Sequence, residues 1–264
     1  MLLAVDAGNT DTVIGLFDTK ITDPQTADDG LLDHWRIATQ ADRTADEHAV
    51  MFEGFLAARR HSGLDEVEGM VISSGVPRVM ANLRNMANRY LGQEAVVLEP
   101  GVRTGVAIRT DNPKEVGADR IANAVAAFDL FGGPTIMVDF GTATTCDAVS
   151  ADGEYLGGAI APGVEISLDA LVGRAAALRQ VDLVEPRSVL GRTTVESIQS
   201  GIVYGYAAQV DGLCARIEGE LGECTVVATG GLSPLIAPFT DSIQHVEPWL
   251  TLHGLRLVHA MNAE

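Results

Sequence analysis

Val5-Asp6-Ala7-Gly8-Asn9-Thr10, near the start of the 264-residue chain, decides the fold once it is set beside Val138-Asp139-Phe140-Gly141-Thr142-Ala143. Each stretch ends an apolar run on an Asp and then enters a turn of small and polar residues. Residues 2–6 and Thr12 to Phe17 flank the first turn as short apolar runs, so the opening predicts strand–turn–strand. Thr135 to Val138 leads into the second turn, DFGTATT, in the same way. The two Asp residues stand 133 positions apart, about half the chain. A repeat at that spacing predicts two similar α/β halves, 1–114 and 115–264, with a cleft between them.

Working outward, Thr19 to Gly30 is polar and turn-rich, and Leu31 to Ile37 predicts a third strand. Thr44 is placed to cap an amphipathic helix running to about Arg60. Met70 to Ser73 and Ala95 to Leu98 predict strands, with a helix from about Pro77 to Tyr90 between them. From Ala118, residues Ile121, Ala124, Val125 and Phe128 recur at helical spacing. Val195 to Glu220 predicts a long helix, and Thr225 to Ala228 a buried strand that ends in Thr229-Gly230-Gly231-Leu232.

Acidic residues number 36 against 18 basic ones, for a formal charge of −18. That balance leaves no basic stripe to displace counterions from a nucleic acid, so none is expected as a partner. An anionic ligand must instead be held by backbone N–H groups, a metal and a few chosen side chains. Cys146, Cys214 and Cys224 lack metal-type spacing and fit a reducing cytoplasm better than a disulfide framework. The first residues meet Asp6 too soon for a signal peptide, and no apolar run approaches the roughly 20 residues of a membrane span. A cytoplasmic protein without a membrane partner is expected. The six histidines show no metal spacing, and Gly-x-Ser-x-Gly, His-Glu-x-x-His and the GxxxxGK[ST] loop are all absent.

Gly8 permits close backbone approach, so that successive N–H groups can face a phosphate, and Asn9 and Thr10 add side-chain donors. Asp6, at a strand end, can hold Mg²⁺ through water. A plain hairpin with Asp6 as a local cap would account for one such turn. Two of them across a cleft make a phosphate clamp. The paired glycines of Thr229 to Leu232 remove side chains where a base or ribose could lie.

The three elements together resemble the phosphate-1, phosphate-2 and adenosine motifs of the actin, hexokinase and Hsp70 superfamily. DAGNTDTVIGLF, NPKEVGADRIANAVAA, VDFGTATTCDAV, GGAIAPG and TTVESIQSGIVYG narrow the resemblance to type III pantothenate kinases. It implies a duplicated RNase H-like, actin-like ATPase fold of the α/β class. It also implies ATP-dependent phosphorylation of pantothenate to 4′-phosphopantothenate, the first step towards coenzyme A.

By the same resemblance, Asp6, Ala7, Gly8, Asn9, Thr10, Asp11, Thr12, Val13 and Thr142 contact ATP. Asp119 is the base that accepts the substrate's hydroxyl proton. Gly117, Ala118, Asp119, Arg120 and Thr194 line the pantothenate site, Thr194 across a homodimer interface. Asp139 binds a monovalent cation, K⁺ or NH₄⁺, and Mg²⁺ accompanies ATP. Position alone favours Asp119 as the cap of its helix, with Arg120 a surface charge, and Thr194 as an N-cap. Two departures stand out: Thr110 where the family usually has Tyr, and Leu178-Arg179 where it favours Leu-Pro. The alternatives are a kinase of this superfold with another acceptor, or a non-catalytic accessory factor. Asn-Pro followed by GADR speaks against the first, and intact Asp6, Asp119 and Asp139 against the second.

Overall fold

A computed structural model describes residues 1–21, 24–61, 63–175 and 181–263. In chain order these form β1 (Leu2–Ala7), β2 (Asp11–Phe17), β3 (Leu31–Ala38), α1 (Ala45–Ala58), β4 (Gly69–Ser74), α2 (Pro77–Met86), β5 (Val96–Val97), β6 (Ala107–Ile108) and α3 (Ala118–Phe131). There follow β7 (Thr135–Phe140), β8 (Ala143–Val149), β9 (Glu154–Pro162), α4 (Val164–Arg174), α5 (Thr194–Leu221), β10 (Thr225–Thr229), α6 (Ser233–Ile236), β11 (His245–Val246) and α7 (Leu250–Asn262).

The chain divides into two compact units. The first comprises Met1–Ala107, Asp111–Leu130 and Trp249–Glu264, and the second Ile108–Thr110 and Phe131–Pro248. This differs from the halves expected at 1–114 and 115–264. α3 stays with the first unit, and α7 returns to it from the far end of the sequence. The cause is packing: α7 lies on β1, β4 and β2, and backbone of α7 meets α3 at Gly254 and Ala122.

Within the first unit the sheet order is β3-β2-β1-β4-β5, with β1 antiparallel to β2 and parallel to β4. β1 is apolar on both faces because it is central, whereas β3, at the edge, alternates half-buried and exposed residues. Thr44 caps α1 through a reciprocal capping box with Glu47, as the sequence predicts. That helix lays Phe52 and Leu56 against Leu3, Val5, Ile14 and Ile72 of the sheet. Each such side chain taken from water is worth about 1.5–3 kcal/mol.

The second unit repeats the plan. Its sheet runs β11-β10-β7-β8-β9-β6, with β7 antiparallel to β8 and parallel to β10. Ile136, Val138, Phe140, Cys146 and Val226 pack there against Ile202 and Val203 of α5. The long helix α5 stops at Gly222, whose φ of 87° suits only glycine well. β9 and α4, over GGAIAPG and beyond, were not expected from hydrophobic pattern. Gly157 and Gly158 interrupt the alternation that marks a strand, the latter because a Cβ there would meet Asp147 and Cys146. Leu178 and Arg179 lie outside the described residues.

Candidate active site

Asp6 to Val13 and Gly117 to Arg120 belong to the first unit; Asp139, Thr142 and Thr194 belong to the second. In the first unit Asp6, half-buried, lies near the end of β1 between Val13 of β2 and Ser73 of β4, just before the buried Ala7. The turn after it closes with the Gly8 N–H donating to the Asp11 carbonyl at 2.9 Å. This leaves Asp6 and Gly8 half-buried and Asn9 and Thr10 exposed, a display of polar groups at a strand end. The backbone beneath is fixed by the Ser74 hydroxyl, which donates to the Ala7 carbonyl at 3.0 Å.

Not every residue of that stretch offers its side chain to a ligand. Thr12 is buried and its hydroxyl shares a 2.8 Å hydrogen bond with Thr39. Asp11 pairs with Arg36 at 3.0 Å on the surface. Both serve the hairpin's geometry; the polar side chains displayed at the tip are those of Asn9 and Thr10.

The Asn-Pro-Lys-Glu segment forms a single 3₁₀ turn over Pro113–Glu115. It is capped by Asn112, which accepts from the Lys114 N–H at 3.4 Å and donates to Glu115 at 2.6 Å. α3 starts directly after Gly117, whose carbonyl accepts from the Ile121 N–H at 3.1 Å. Asp119 is therefore the second residue of the helix and not its cap. Its carboxylate accepts from the Arg120 N–H at 2.9 Å and leans over Gly117, where any Cβ would collide with it. Glycine at 117 thus clears the space that Asp119 occupies. Asp119 is exposed and Arg120 half-buried, on a helix terminus whose field favours negative charge.

In the second unit Asp139 lies between Thr145 of β8 and Thr229 of β10. Residues directly opposite in neighbouring strands share a face, so hydroxyl, carboxylate and hydroxyl form one row across three strands. The Thr145 hydroxyl is buried without a hydrogen-bond partner. The turn itself closes with the Gly141 N–H donating to the Ala143 carbonyl at 3.1 Å, leaving Gly141 and Thr142 exposed.

Two glycines crowd that turn. A Cβ on Gly163 would lie 2.7 Å from the Gly141 carbonyl oxygen. One on Gly230, at φ 88°, would lie 2.5 Å from Asp139 Oδ1 and 2.6 Å from the Phe140 carbonyl carbon. The first glycine of TGGL is thus set by close approach to the second Asp turn. Gly163 and Thr145 were missed in the sequence. Both lie in stretches that carry the family resemblance, GGAIAPG and VDFGTATTCDAV, but a Pro-Gly after an apolar stretch and a Thr in a strand reveal no role by themselves.

Thr194 is the first residue of α5, and Thr193 is its cap, accepting from the Glu196 N–H at 3.1 Å. Capping therefore makes no demand on the Thr194 side chain, which is exposed. Thr110 lies beside β9: its methyl is 3.7 Å from where a Cβ on Gly157 would stand, and its hydroxyl is buried without a partner. Arg109, next to it, forms an ion pair with Glu154.

The sequence profile of type III pantothenate kinases matches residues 2–216. A type III pantothenate kinase of Streptomyces griseus is 54% identical over 270 aligned positions, covering 99% of this chain and 98% of its own length. Among solved structures, a Baf family transcriptional activator from Campylobacter jejuni superposes with a TM-score of 0.59 at 18% identity, covering 98% of both chains. The activator of 2-hydroxyisocaproyl-CoA dehydratase from Clostridium difficile, solved with bound ADPNP, gives 0.56 at 12%, covering 99% of this chain and 94% of that one. At such identities the structural likenesses speak for the fold, the actin-like arrangement of two mixed α/β sheets.

Proposed function

Since the chain belongs to the type III pantothenate kinase family, we propose that it transfers the γ-phosphoryl group of ATP to the terminal hydroxyl of pantothenate, the first step towards coenzyme A. The observation that carries the reading is the Asn112 to Arg120 segment. A capped 3₁₀ turn there delivers Asp119, exposed, onto the first turn of α3 beside Arg120.

Asp119 takes the proton of the attacking hydroxyl, the hydroxyl oxygen bonds to the γ-phosphorus, and ADP leaves with the former bridging oxygen. Positioning and charge stabilisation supply most of the rate in phosphoryl transfer, so an ordinary carboxylate suffices as base. Arg120 anchors the pantothenate carboxylate, and Gly117, Ala118 and Thr194 complete its surround. Asn9 and Thr10 offer donors to the phosphates, Gly8, whose own N–H closes the turn onto Asp11, permits their close approach, and Thr142 contacts the nucleotide from the second turn.

Asp6 would hold Mg²⁺ through water, which suits a half-buried carboxylate at a strand end. A bound Mg²⁺ neutralises charge on the transferring phosphates. The oxygen row of Thr229, Asp139 and Thr145 suits a hard monovalent cation, K⁺ or NH₄⁺, and the unpartnered Thr145 hydroxyl is the observation that fits it.

A homodimer accompanies this reading. Ile160, Ile166, Val189, Leu190 and Val195 are exposed apolar residues of the second unit, Leu190 by 83%. Val189, Leu190 and Val195 flank Thr194 in the chain, so a second copy covering them would adjoin that substrate residue. The three cysteines are free and buried, in keeping with a reducing cytoplasm, and no helix of the described residues is long and apolar enough to cross a membrane.

Purified protein, Mg-ATP and a panel of hydroxylated acceptors, with K⁺ exchanged for Na⁺, test the reading. Phosphorylation of pantothenate that depends on K⁺ is expected; activity on another acceptor alone would overturn it. Asp119→Ala should bind ATP and lose turnover, and full activity in that variant refutes the base. Sedimentation of wild type against Leu190→Asp should show the dimer and its loss.

A further inference from the structure

α7 carries none of the motifs named above, yet in the first unit it is tied to α3, the helix of Asp119, at three places. The first is backbone against backbone: a Cβ on Gly254 would lie 2.6 Å from the Ala122 carbonyl carbon. The second is the Thr251 hydroxyl, which donates to Asn123 Oδ1 at 2.7 Å. The third is a relay through a wholly buried histidine. His253 Nε2 stands 3.2 Å from Asp129 Oδ2, and His253 Nδ1 stands 3.2 Å from Arg256 Nη2. Arg256 in turn donates from Nη1 to the Asp29 carbonyl at 2.7 Å and lies over the Phe17 ring.

The chemistry of these groups fixes every proton in the relay. A guanidinium has only donors, so Nδ1 of His253 must accept. The ring is then neutral with its proton on Nε2, which donates to Asp129. Burial and the neighbouring Arg256 charge both push the His253 pKa down, while Asp129 and Asp29 pull the other way. Arg256 is 7% exposed, and its hydrogen bond to Asp29 goes to the backbone carbonyl, so the neutral ring is the second acceptor for its guanidinium.

α3 is 14 residues long, about 21 Å at the usual rise. Held at Ala122 and Asn123 near its start and at Asp129 near its end, it cannot roll or slide without breaking one of the three ties. Asp119 lies one turn before the first tie. We propose that His253 is a positioning residue for Asp119, keeping α3 at the roll and depth that proton transfer from the acceptor hydroxyl requires. This rests on Asp119 being the base.

Full-length His253→Leu, His253→Gln, Asp129→Ala and Asp119→Asn test it. Nucleotide affinity, kcat, both KM values and thermal stability are measured on each below its melting range. A misplacement on the order of 1 Å costs about 100-fold in rate, so His253→Leu should lose about 10- to 100-fold in kcat. Its ATP affinity should stay put, because the nucleotide turn is held by the Gly8–Asp11 and Ser74–Ala7 hydrogen bonds, in which His253 has no part. Glutamine can accept from Arg256 through Oε1 and donate to Asp129 through Nε2, so His253→Gln should recover most of kcat. It should also lose the acid limb of the kcat–pH profile that protonation of His253 gives the wild type. If His253→Leu fails to fold, Asp129→Ala breaks the same relay at its half-exposed end and should lower kcat in the same way. Unchanged kcat in the folded variants, with only a lower melting temperature, overturns the proposal. Unchanged kcat in Asp119→Asn instead strikes at the base itself and leaves that outcome distinct.

Discussion

Asp6 and Asp139 occupy the same station in two sheets that share one order, β3-β2-β1-β4-β5 and, apart from β6 at the edge, β9-β8-β7-β10-β11, yet their surroundings differ. Asp6 is flanked by Val13 and Ser73, Asp139 by Thr145 and Thr229. The turn after Asp6 is open, and a Cβ on Gly8 would come no nearer than 3.2 Å to anything but its chain neighbours. The turn after Asp139 is walled by the backbone of Gly163 and Gly230. Buried apolar strands fix the repeated frame, and the halves diverge where function asks for different backbone clearance. One turn displays donors; the other is braced.

The sharpest way to break the comparison is to add the same methyl to each. Gly230→Ala places Cβ 2.5 Å from Asp139 Oδ1 and forces alanine into φ 88°. Overpacking and the backbone strain together should destabilise by about 3 kcal/mol. Gly8→Ala should cost about 1 kcal/mol or less, its one close neighbour being a carbonyl at 3.2 Å. Urea unfolding of both variants reads the difference, and equal losses would dissolve the contrast between the turns.

Acid should separate the units next. Of six histidines, five lie in the first unit, and burial holds His48, His253 and His259 neutral there, with His48 lowered to about 4. Each takes up a proton near 6.5 once unfolded. Their contribution is thus full above pH 6.5 and is lost as pH falls from 6.5 towards 4. Trp35 and Trp249, the two tryptophans, both lie in the first unit, so tryptophan fluorescence reads that unit alone. Its unfolding midpoint should drop over this range. His48→Phe, which also removes two ring nitrogens without partners, should drop less.

The same contrast explains what was legible in the sequence. The Asp turns could be read because strand, Asp and Gly are neighbours along the chain, and the cap of α1 because Thr44 directly precedes its helix. The division at 114/115 could not, since α3 and α7 are joined by a glycine contact between residues 122 and 254 that no local pattern carries. β9 was hidden because its glycines, Gly157 beside Thr110 and Gly158 against Cys146 and Asp147, spoil its alternation. Thr194 could be read from the sequence as a cap as well as a substrate residue because Thr193 beside it is chemically identical; only the geometry of Glu196 chooses between them.

Those caps offer a third test, of about 1 kcal/mol each. Thr44→Ala breaks a reciprocal box in the first unit, and Thr193→Ala a single bond in the second. The first should cost the more, and Thr194→Ala only a few tenths in stability while raising the KM for pantothenate. A stability loss at Thr194 equal to that at Thr193 would return it to a purely structural part.

The smallest change in stability bears most directly on why the two Asp residues differ. Thr145 stands where the first unit has Val13, and its hydroxyl is buried with no partner. An unsatisfied buried hydroxyl is unfavourable by about 1–3 kcal/mol, whereas an apolar group of the same shape is neutral or better. Thr145→Val should therefore leave the protein as stable as wild type or stabilise it by about 1 kcal/mol. If the oxygen row holds a cation, the same variant should lose the rise in melting temperature that K⁺ gives the wild type over Na⁺. Thr144→Val, next in the chain with its hydroxyl equally unpartnered but on the opposite face, should keep that rise. A K⁺ response that survives Thr145→Val and fails in Thr144→Val would put the cation on the wrong face of the sheet, and Asp139 would be left no different in kind from Asp6.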